Sequence, residues 1–252
     1  MNKILSLLAG IMLISSCISN RPFSFIQMTD PQIGFIDPTP GYQKTDSLLQ
    51  QAVAEANTLK PAAVILTGDL VNNPADSLQC AIYRHDTGRI QAPVYELPGN
   101  HDPESGERFF FRKEGCSFIG LDSNPIVGGP EEKEAEQKDW LIARLKEAGG
   151  SRFLFVFMHC PVFRESPDEA EDYFNFPMKQ RTEYLNLFKE YGVSAVFAGH
   201  THTDYQAEWN GIRFYTAGPV GSPLGRGKSG FLLVDVDKDQ FTVTEHLLLR
   251  AE

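Results

Sequence analysis

Five short segments bring carboxylate, carboxamide and imidazole side chains together: Thr29-Asp30-Pro31-Gln32, Gly68-Asp69-Leu70-Val71-Asn72, Gly99-Asn100-His101-Asp102, Met158-His159-Cys160-Pro161 and Gly199-His200-Thr201-His202. These groups are metal ligands by type, oxygen donors suiting harder ions and imidazole suiting Zn or Fe. A carboxylate between two ions can bridge them, and a hydroxide held in the same gap forms near neutral pH, aimed at phosphorus. Asp69 is the candidate bridge, with Asp30 and His202 serving the first ion and Asn100, His159 and His200 the second. Neutral imidazole and amide ligands limit the negative charge around a centre that must also accept a phosphate anion.

Each segment follows an apolar run short enough to be a buried strand: FSFIQM, AAVILT, VYELP, FLFVFM and SAVFA. Ligands bind outside strand carboxyl ends, so one edge of an open sheet is expected to carry all five segments. Helical spacing predicts a helix over 43–59, stopped before Pro61, and a second around 77–90, completing a βαβαβ pattern. A further strand lies in SFIGLDSN. EEKEAEQKDWLIARLKEAGG reads as an amphipathic helix with an acidic start, Trp140, Leu141 and Leu145 inward, and a glycine stop. Strand 153–158, helix 178–190 and strand 193–198 repeat the pattern. From residue 205 the runs AEWNGIRFYTAG, SGFLLVDVD and QFTVTEHLL resemble antiparallel strands, with turns at Asn210-Gly211 and Asp237-Lys238-Asp239. The expected class is α/β, a four-layer α/β/β/α sandwich of two mixed sheets.

At 252 residues and 42% hydrophobic content the chain can bury one large core, and no repeat or linker divides it. Residues 1–16 hold Lys3 and an apolar stretch too short to span a bilayer, the pattern of a secretory signal peptide. Ile14-Ser15-Ser16-Cys17 looks like the lipobox of bacterial lipoproteins. The expected organisation is a signal peptide over 1–16, a lipid-anchored tether over 17–22 starting at acylated Cys17, and one domain over 23–252. That places the protein in the bacterial cell envelope, on the periplasmic side, joined to the membrane by lipid; an ordinary signal peptide cut near Ser16 is the alternative. A net charge of −10 and no basic run interleaved with aromatics argue against nucleic-acid binding and against charge-driven adhesion to anionic lipid. None of the four cysteines has C-x-x-C spacing. An oxidising compartment allows a Cys80–Cys116 disulfide, and strand alternation turns Cys160 away from the face of His159. His85, in a surface helix, and His246, in the last strand, add no ligand.

In this order the five segments resemble the calcineurin-like metallophosphoesterase superfamily, whose pattern runs D-x-H, G-D-x-x-N or G-D-x-x-D, G-N-H-D/E, H and G-H-x-H, over about residues 23–220. The resemblance implies a dinuclear site of Mn, Fe, Zn or Mg that hydrolyses a phosphate ester. It also implies that His101 protonates the leaving alkoxide, with Asp102 or Asn72 orienting its ring. Gln32 departs from the pattern, which has His there. An amide oxygen is a harder and weaker ligand, so the first ion is expected to bind more loosely or to be Mn or Mg rather than Zn. Asp-Pro-Gln is similar to a subgroup that includes a eukaryotic phosphatase of phosphoserine and phosphothreonine, and GPVGSPLGRGKSGFLLVDV resembles it more loosely. Where protein phosphatases of the family place a phosphate-gripping arginine, this chain has Asn73. Arg226, flanked by Gly225 and Gly227, is the candidate replacement, against a plain solvated turn charge. Phe163, Tyr173 and Phe174 either wall the substrate pocket or cover the core. The expected activity is a phosphomonoesterase acting on a phosphorylated small molecule or phosphoprotein. The alternatives are a phosphodiesterase of cyclic nucleotides or lipid headgroups and a non-catalytic metal- or phosphate-binding lipoprotein. The sequence leaves the oligomeric state open.

Overall fold

The computed structural model describes residues 20–103 and 107–248; the signal segment and Cys17 lie outside them. The chain runs β1 (Phe23–Met28), α1 (Gln43–Leu59), β2 (Val64–Thr67), α2 (Ser77–Thr87), β3 (Val94–Leu97), β4 (Phe109–Lys113), β5 (Cys116–Gly120), α3 (Asn124–Val127), α4 (Glu131–Glu147), β6 (Leu154–Phe157), α5 (Met178–Glu190), β7 (Ala195–Ala198), β8 (Tyr205–Trp209), β9 (Ile212–Thr216), β10 (Gly230–Val236) and β11 (Phe241–Leu247). One sheet has the order β11-β10-β1-β2-β3 and the other β4-β5-β6-β7-β9-β8.

Alternation along the strands builds the layers. Phe25, Ile65, Phe118, Phe155, Phe157 and Phe197 point between the sheets into one aromatic core. Their chain neighbours point outward: Ile26, Met28 and Leu66 pack under α1 and α2, while Ile119, Val156 and Val196 pack under α4 and α5. Phe25 meets Phe118 edge-on with centroids 5.1 Å apart, and Phe157 stacks on Phe197 at 5.2 Å. The four-layer α/β/β/α class is therefore borne out.

Several expectations need correction. The five ligand-bearing segments do not leave one sheet. Three follow β1, β2 and β3 of the first sheet, and two follow β6 and β7 of the second. They still meet, because the two sheets are tied at these ends: the Gln27 amide donates to Thr67 Oγ1 (2.7 Å) and to the Ala198 carbonyl across the seam (3.1 Å). The strands after residue 205 also divide. β8 and β9 form the antiparallel hairpin at Asn210-Gly211, and β9 pairs parallel with β7. β10 and β11 join the first sheet, where β10 lies antiparallel to β1 with Phe25 opposite Val234. Two elements were not read from the sequence, the edge strand β4 and the short α3. Trp140 is half-buried, with Leu141 and Leu145 fully inward. Cys80 and Cys116 are unpaired, and Cys160 is buried in the core.

The segment between β6 and α5 has no regular structure, yet it is firmly held. Arg181 of α5 is buried and donates to the carbonyls of Pro167, Glu169 and Phe176. Glu169 accepts the backbone N–H groups of Arg164, Glu165 and Ser166 and the Asn175 amide. Replacing Arg181 by Met keeps the apolar stem and strands three carbonyls. The expected result is a loss of about 2–4 kcal/mol in urea unfolding, with early proteolysis between residues 164 and 177.

Candidate metal centre

Buried acids and imidazoles converge at the seam in two overlapping groups. Asp30, Asp69 and His202 form one and Asp69, His159 and His200 the other, each with ligand atoms within 4.8 Å of one another. Asp69 belongs to both groups, so a single carboxylate faces two positions where a cation fits. Asn100 joins the second group, its Oδ1 3.1 Å from His159 Nε2. Gln32 stands beside the first, its N–H donating to the Asp69 carbonyl (2.9 Å).

Backbone acceptors fix which nitrogen of each ring carries the hydrogen. His159 Nδ1 donates to the Thr67 carbonyl (2.8 Å), His202 Nδ1 to the Ser222 carbonyl (2.7 Å) and His200 Nε2 to the Tyr173 carbonyl (2.9 Å). The opposite nitrogen of each neutral ring is then an electron-pair donor. His159 Nε2 lies 3.4 Å from Asp69 Oδ1, and His202 Nε2 lies 3.4 Å from Asp30 Oδ1. Asp30 Oδ1 and Gln32 Oε1 are buried with no hydrogen-bond partner among the described residues. Lone pairs facing one another in a buried place are unfavourable unless a cation lies between them. The donor set, two carboxylates, two amide oxygens and three imidazoles, therefore fits two metal ions.

The same crowding shapes the titration of these groups. Burial opposes a charge on His159, but the Asp69 carboxylate reverses this and raises the imidazole to about 10. Burial would raise Asp69, yet His159 and the His101 N–H hold it well below the usual carboxylate range. His200 is pushed down by burial and by the neighbouring His159 charge. A positive charge among these atoms is thus strongly favoured, and a metal ion supplies it as a proton does.

The strand ends are bent to aim these side chains. Among the described residues ten non-glycine positions have left-handed backbone, and Asp30, Gln32, Asp69, His200 and His202 are five of them. Such conformations cost on the order of 1 kcal/mol each and persist where surrounding contacts impose them. Here the Asp30 N–H donates to the Gly68 carbonyl (3.0 Å), and the His200 N–H to Asp30 Oδ2 (2.9 Å). Gly68 has φ +92°, and a Cβ there would stand 2.7 Å from His159 Nδ1. At Gly199 a side chain would collide with Thr29 Oγ1, which itself donates to Asp30 Oδ2 (2.6 Å).

Around this centre the remaining candidates separate. The His101 N–H donates to Asp69 Oδ1 (2.9 Å), and its Nδ1 donates to the Asn72 carbonyl (3.1 Å). Asn72 therefore orients the ring through its backbone. The Asp102 carboxylate accepts the N–H groups of Leu70 (3.0 Å) and Gly99 (2.8 Å), clamping two ligand-bearing turns together rather than bonding to the His101 ring. Burial, with Asp69 adding to it and the two N–H groups opposing, raises Asp102 to about 6. Arg226 is exposed. It sits on a loop whose backbone reaches the His202 carbonyl through the Leu224 N–H (3.2 Å), and no contact among the described residues ties its side chain to the ligands. Phe163 is core, packed on Phe214 at 4.5 Å, whereas Tyr173 and Phe174 lie against His200 at 4.9 and 5.4 Å. The sequence offered both readings for all three aromatics. It gave no sign that Tyr173 touches Asn100 as well, since nothing local marks that contact.

Comparisons with known proteins agree with this geometry. The family profile described as calcineurin-like phosphoesterase matches residues 23–204. The chain is 32% identical to the serine/threonine-protein phosphatase CPPED1 of Danio rerio, over 90% of this chain and 85% of that protein. It is 27% identical to the 3',5'-cyclic adenosine monophosphate phosphodiesterase CpdA of Escherichia coli K12, over 60% of this chain and 58% of that protein. A dimetal phosphatase structure from Danio rerio superposes with a TM-score of 0.73 at 15% identity, over 89% of this chain and 96% of that one, a likeness of fold. By this match across most of its length, the chain belongs to the calcineurin-like phosphoesterase family.

Proposed function

We propose that this metallophosphoesterase is a phosphomonoesterase of phosphoserine, phosphothreonine or a similar phosphorylated molecule, tethered to the bacterial envelope through acylated Cys17. The observation that carries the catalytic part is Asp69, shared between two ligand groups beside His101. Asp30, Gln32, Asp69 and His202 would hold one ion, and Asp69, Asn100, His159 and His200 the other. When bound, the ions supply Lewis acidity toward phosphoryl oxygens and a water acidic enough to attack phosphorus at neutral pH.

The chain's own residues do the rest. Asp69 is kept ionised and aimed by the His101 N–H. With Nδ1–H of His101 held by the Asn72 carbonyl, Nε2 is the nitrogen that can deliver a proton to the leaving oxygen. Asp102 keeps the Asp69 and Asn100 turns in register. Its role is positioning.

Two observations favour a peptide-like monoester over a cyclic nucleotide. The CPPED1 relative, named a serine/threonine-protein phosphatase, matches nearly the whole chain, while the cyclic-AMP phosphodiesterase relative matches 60% of it. In addition, a cavity of about 480 Å³ opens beside Asn100 and Asp102, bordered by Arg108, Asn124, Lys133 and Gln137. None of its described lining residues is aromatic, and its amides and charges suit a polar chain. The membrane attachment is supported by the lipobox-like Ile14-Ser15-Ser16-Cys17; no helix of the described residues is long and apolar enough to cross a membrane.

Four outcomes are expected. The domain from Ser19 onward, stripped of metal and reloaded with Mn, Zn, Fe or Mg, should hydrolyse para-nitrophenyl phosphate in preference to bis-para-nitrophenyl phosphate. Asp69→Asn should abolish that turnover while leaving the circular dichroism spectrum intact. Diester-only turnover would replace the monoesterase reading, and phosphate binding without turnover would favour a binding lipoprotein. Gln32→Leu removes a buried unpartnered carbonyl, so the metal-free protein should melt no lower than wild type while the rise in Tm on adding Mn shrinks. An undiminished rise would show that Gln32 is not a ligand. Cys17→Ser should move the full-length protein from the membrane fraction to the soluble envelope fraction; continued membrane retention would remove the acylation proposal.

A further inference from the structure

Tyr173 is exposed to 65%, unusually open for a residue bonded to a buried centre. Its phenolic oxygen accepts the Asn100 Nδ2 hydrogen at 2.9 Å, its carbonyl accepts His200 Nε2–H at 2.9 Å, and its ring lies 4.9 Å from the His200 ring. Both contacted side chains belong to the second ligand group. We propose that Tyr173 is a catalytic residue of this site, donating its phenolic hydrogen to a non-bridging oxygen of the substrate phosphoryl group. The inference rests on the phosphoesterase reading above.

Hydrogen-bond capacity leads to this assignment. Asn100 turns Oδ1 toward His159 Nε2, on the ligand side, so its Nδ2 must find an acceptor elsewhere. Tyr173 supplies that acceptor with an oxygen lone pair. Its single O–H hydrogen is thereby left over, and no acceptor for it stands within reach among the described residues. A phenol held one amide group's width from a candidate ligand oxygen, with its hydrogen unspent and its oxygen open to solvent, is arranged for an incoming anion.

The loop holds the phenol in place before substrate arrives. Glu169 and buried Arg181 fix the backbone on either side, Phe174 packs on the Tyr173 ring at 5.1 Å, and Asp172 bonds the Phe174 N–H (2.8 Å). Donors fixed in advance contribute most, because no reorganisation accompanies the reaction. The nearby cation of the same loop, Arg164, is paired with Asp172 (2.6 Å) and Glu169 (3.5 Å), and the residue after Asn72 is Asn73 rather than arginine. A neutral donor is what this loop offers the phosphoryl group.

Tyr173→Phe removes only the hydroxyl, keeping the ring against His200 and the carbonyl that orients it. The test is calorimetric titration of metal-free protein with Mn, then of Mn-loaded protein with inorganic phosphate, alongside para-nitrophenyl phosphate kinetics. The expected result is Mn affinity close to wild type, phosphate affinity lower by about 10–100-fold, and kcat/KM lower by a similar factor. Equal phosphate affinity in the two loaded proteins would overturn the inference. So would a loss confined to Mn affinity, which would make Tyr173 a positioning residue for Asn100. Failure of the wild-type protein to bind phosphate or to turn over para-nitrophenyl phosphate would remove the phosphomonoesterase reading itself, and it is seen before the variant is made.

Discussion

Unshared electron pairs buried against one another are the constraint around which this molecule is arranged. Asp69 faces His159, Asp30 faces His202, and the Gln32 carbonyl has no donor. Left to themselves these groups would turn outward to water. They are kept inward by the backbone: every imidazole among them spends one nitrogen on a main-chain carbonyl, and each carboxylate accepts a main-chain N–H, Asp30 on Oδ2 and Asp69 on Oδ1. The backbone thus dictates which atoms remain for a cation, and the donor set is complete before any ion arrives.

Such an arrangement needs a stiff foundation, and the aromatic layer between the sheets provides it. Phe25, Phe118, Phe155, Phe157 and Phe197 interlock between the sheets, on strands of which β1, β6 and β7 end two residues before Asp30, His159 and His200. Close-packed rings resist displacement, so strain at the strand ends cannot relax by spreading the sheets. Left-handed backbone at five ligand positions is tolerable only on this condition. Packing and chemistry are in this sense one design: the core fixes the strands, and the strands hold the turns in conformations they would not choose alone.

Much of this was legible in the sequence because the information is local. Each ligand segment occupies four or five consecutive residues after an apolar run, so strand, turn and side-chain type are read together. The two-sheet arrangement was legible as a class, but the division of the segments between sheets was not, since β-strand pairing over long separations leaves no local mark. Asp102 and Asn72 were both singled out as partners of His101, but Asp102 acts on N–H groups and Asn72 through its carbonyl, contacts that side-chain identity does not announce. Tyr173 was the hardest to interpret. Its place depends on a loop folded by Glu169 and Arg181, eight residues away along α5, and no periodicity connects them.

Charge balance indicates what the centre is built to receive. Asp30 and Asp69 contribute two negative charges, and the imidazole and amide ligands contribute none when neutral. Two divalent ions together with the hydroxide they would hold leave about one positive charge over, which attracts a phosphate ester anion. An uncompensated charge in a buried place is costly, so the centre favours an anionic ligand. Gln32 exchanges one neutral ligand for another and leaves this balance intact. What it changes is hardness, an amide oxygen in place of a ring nitrogen, so as a ligand Gln32 would act on which ion occupies the first position rather than on the net charge.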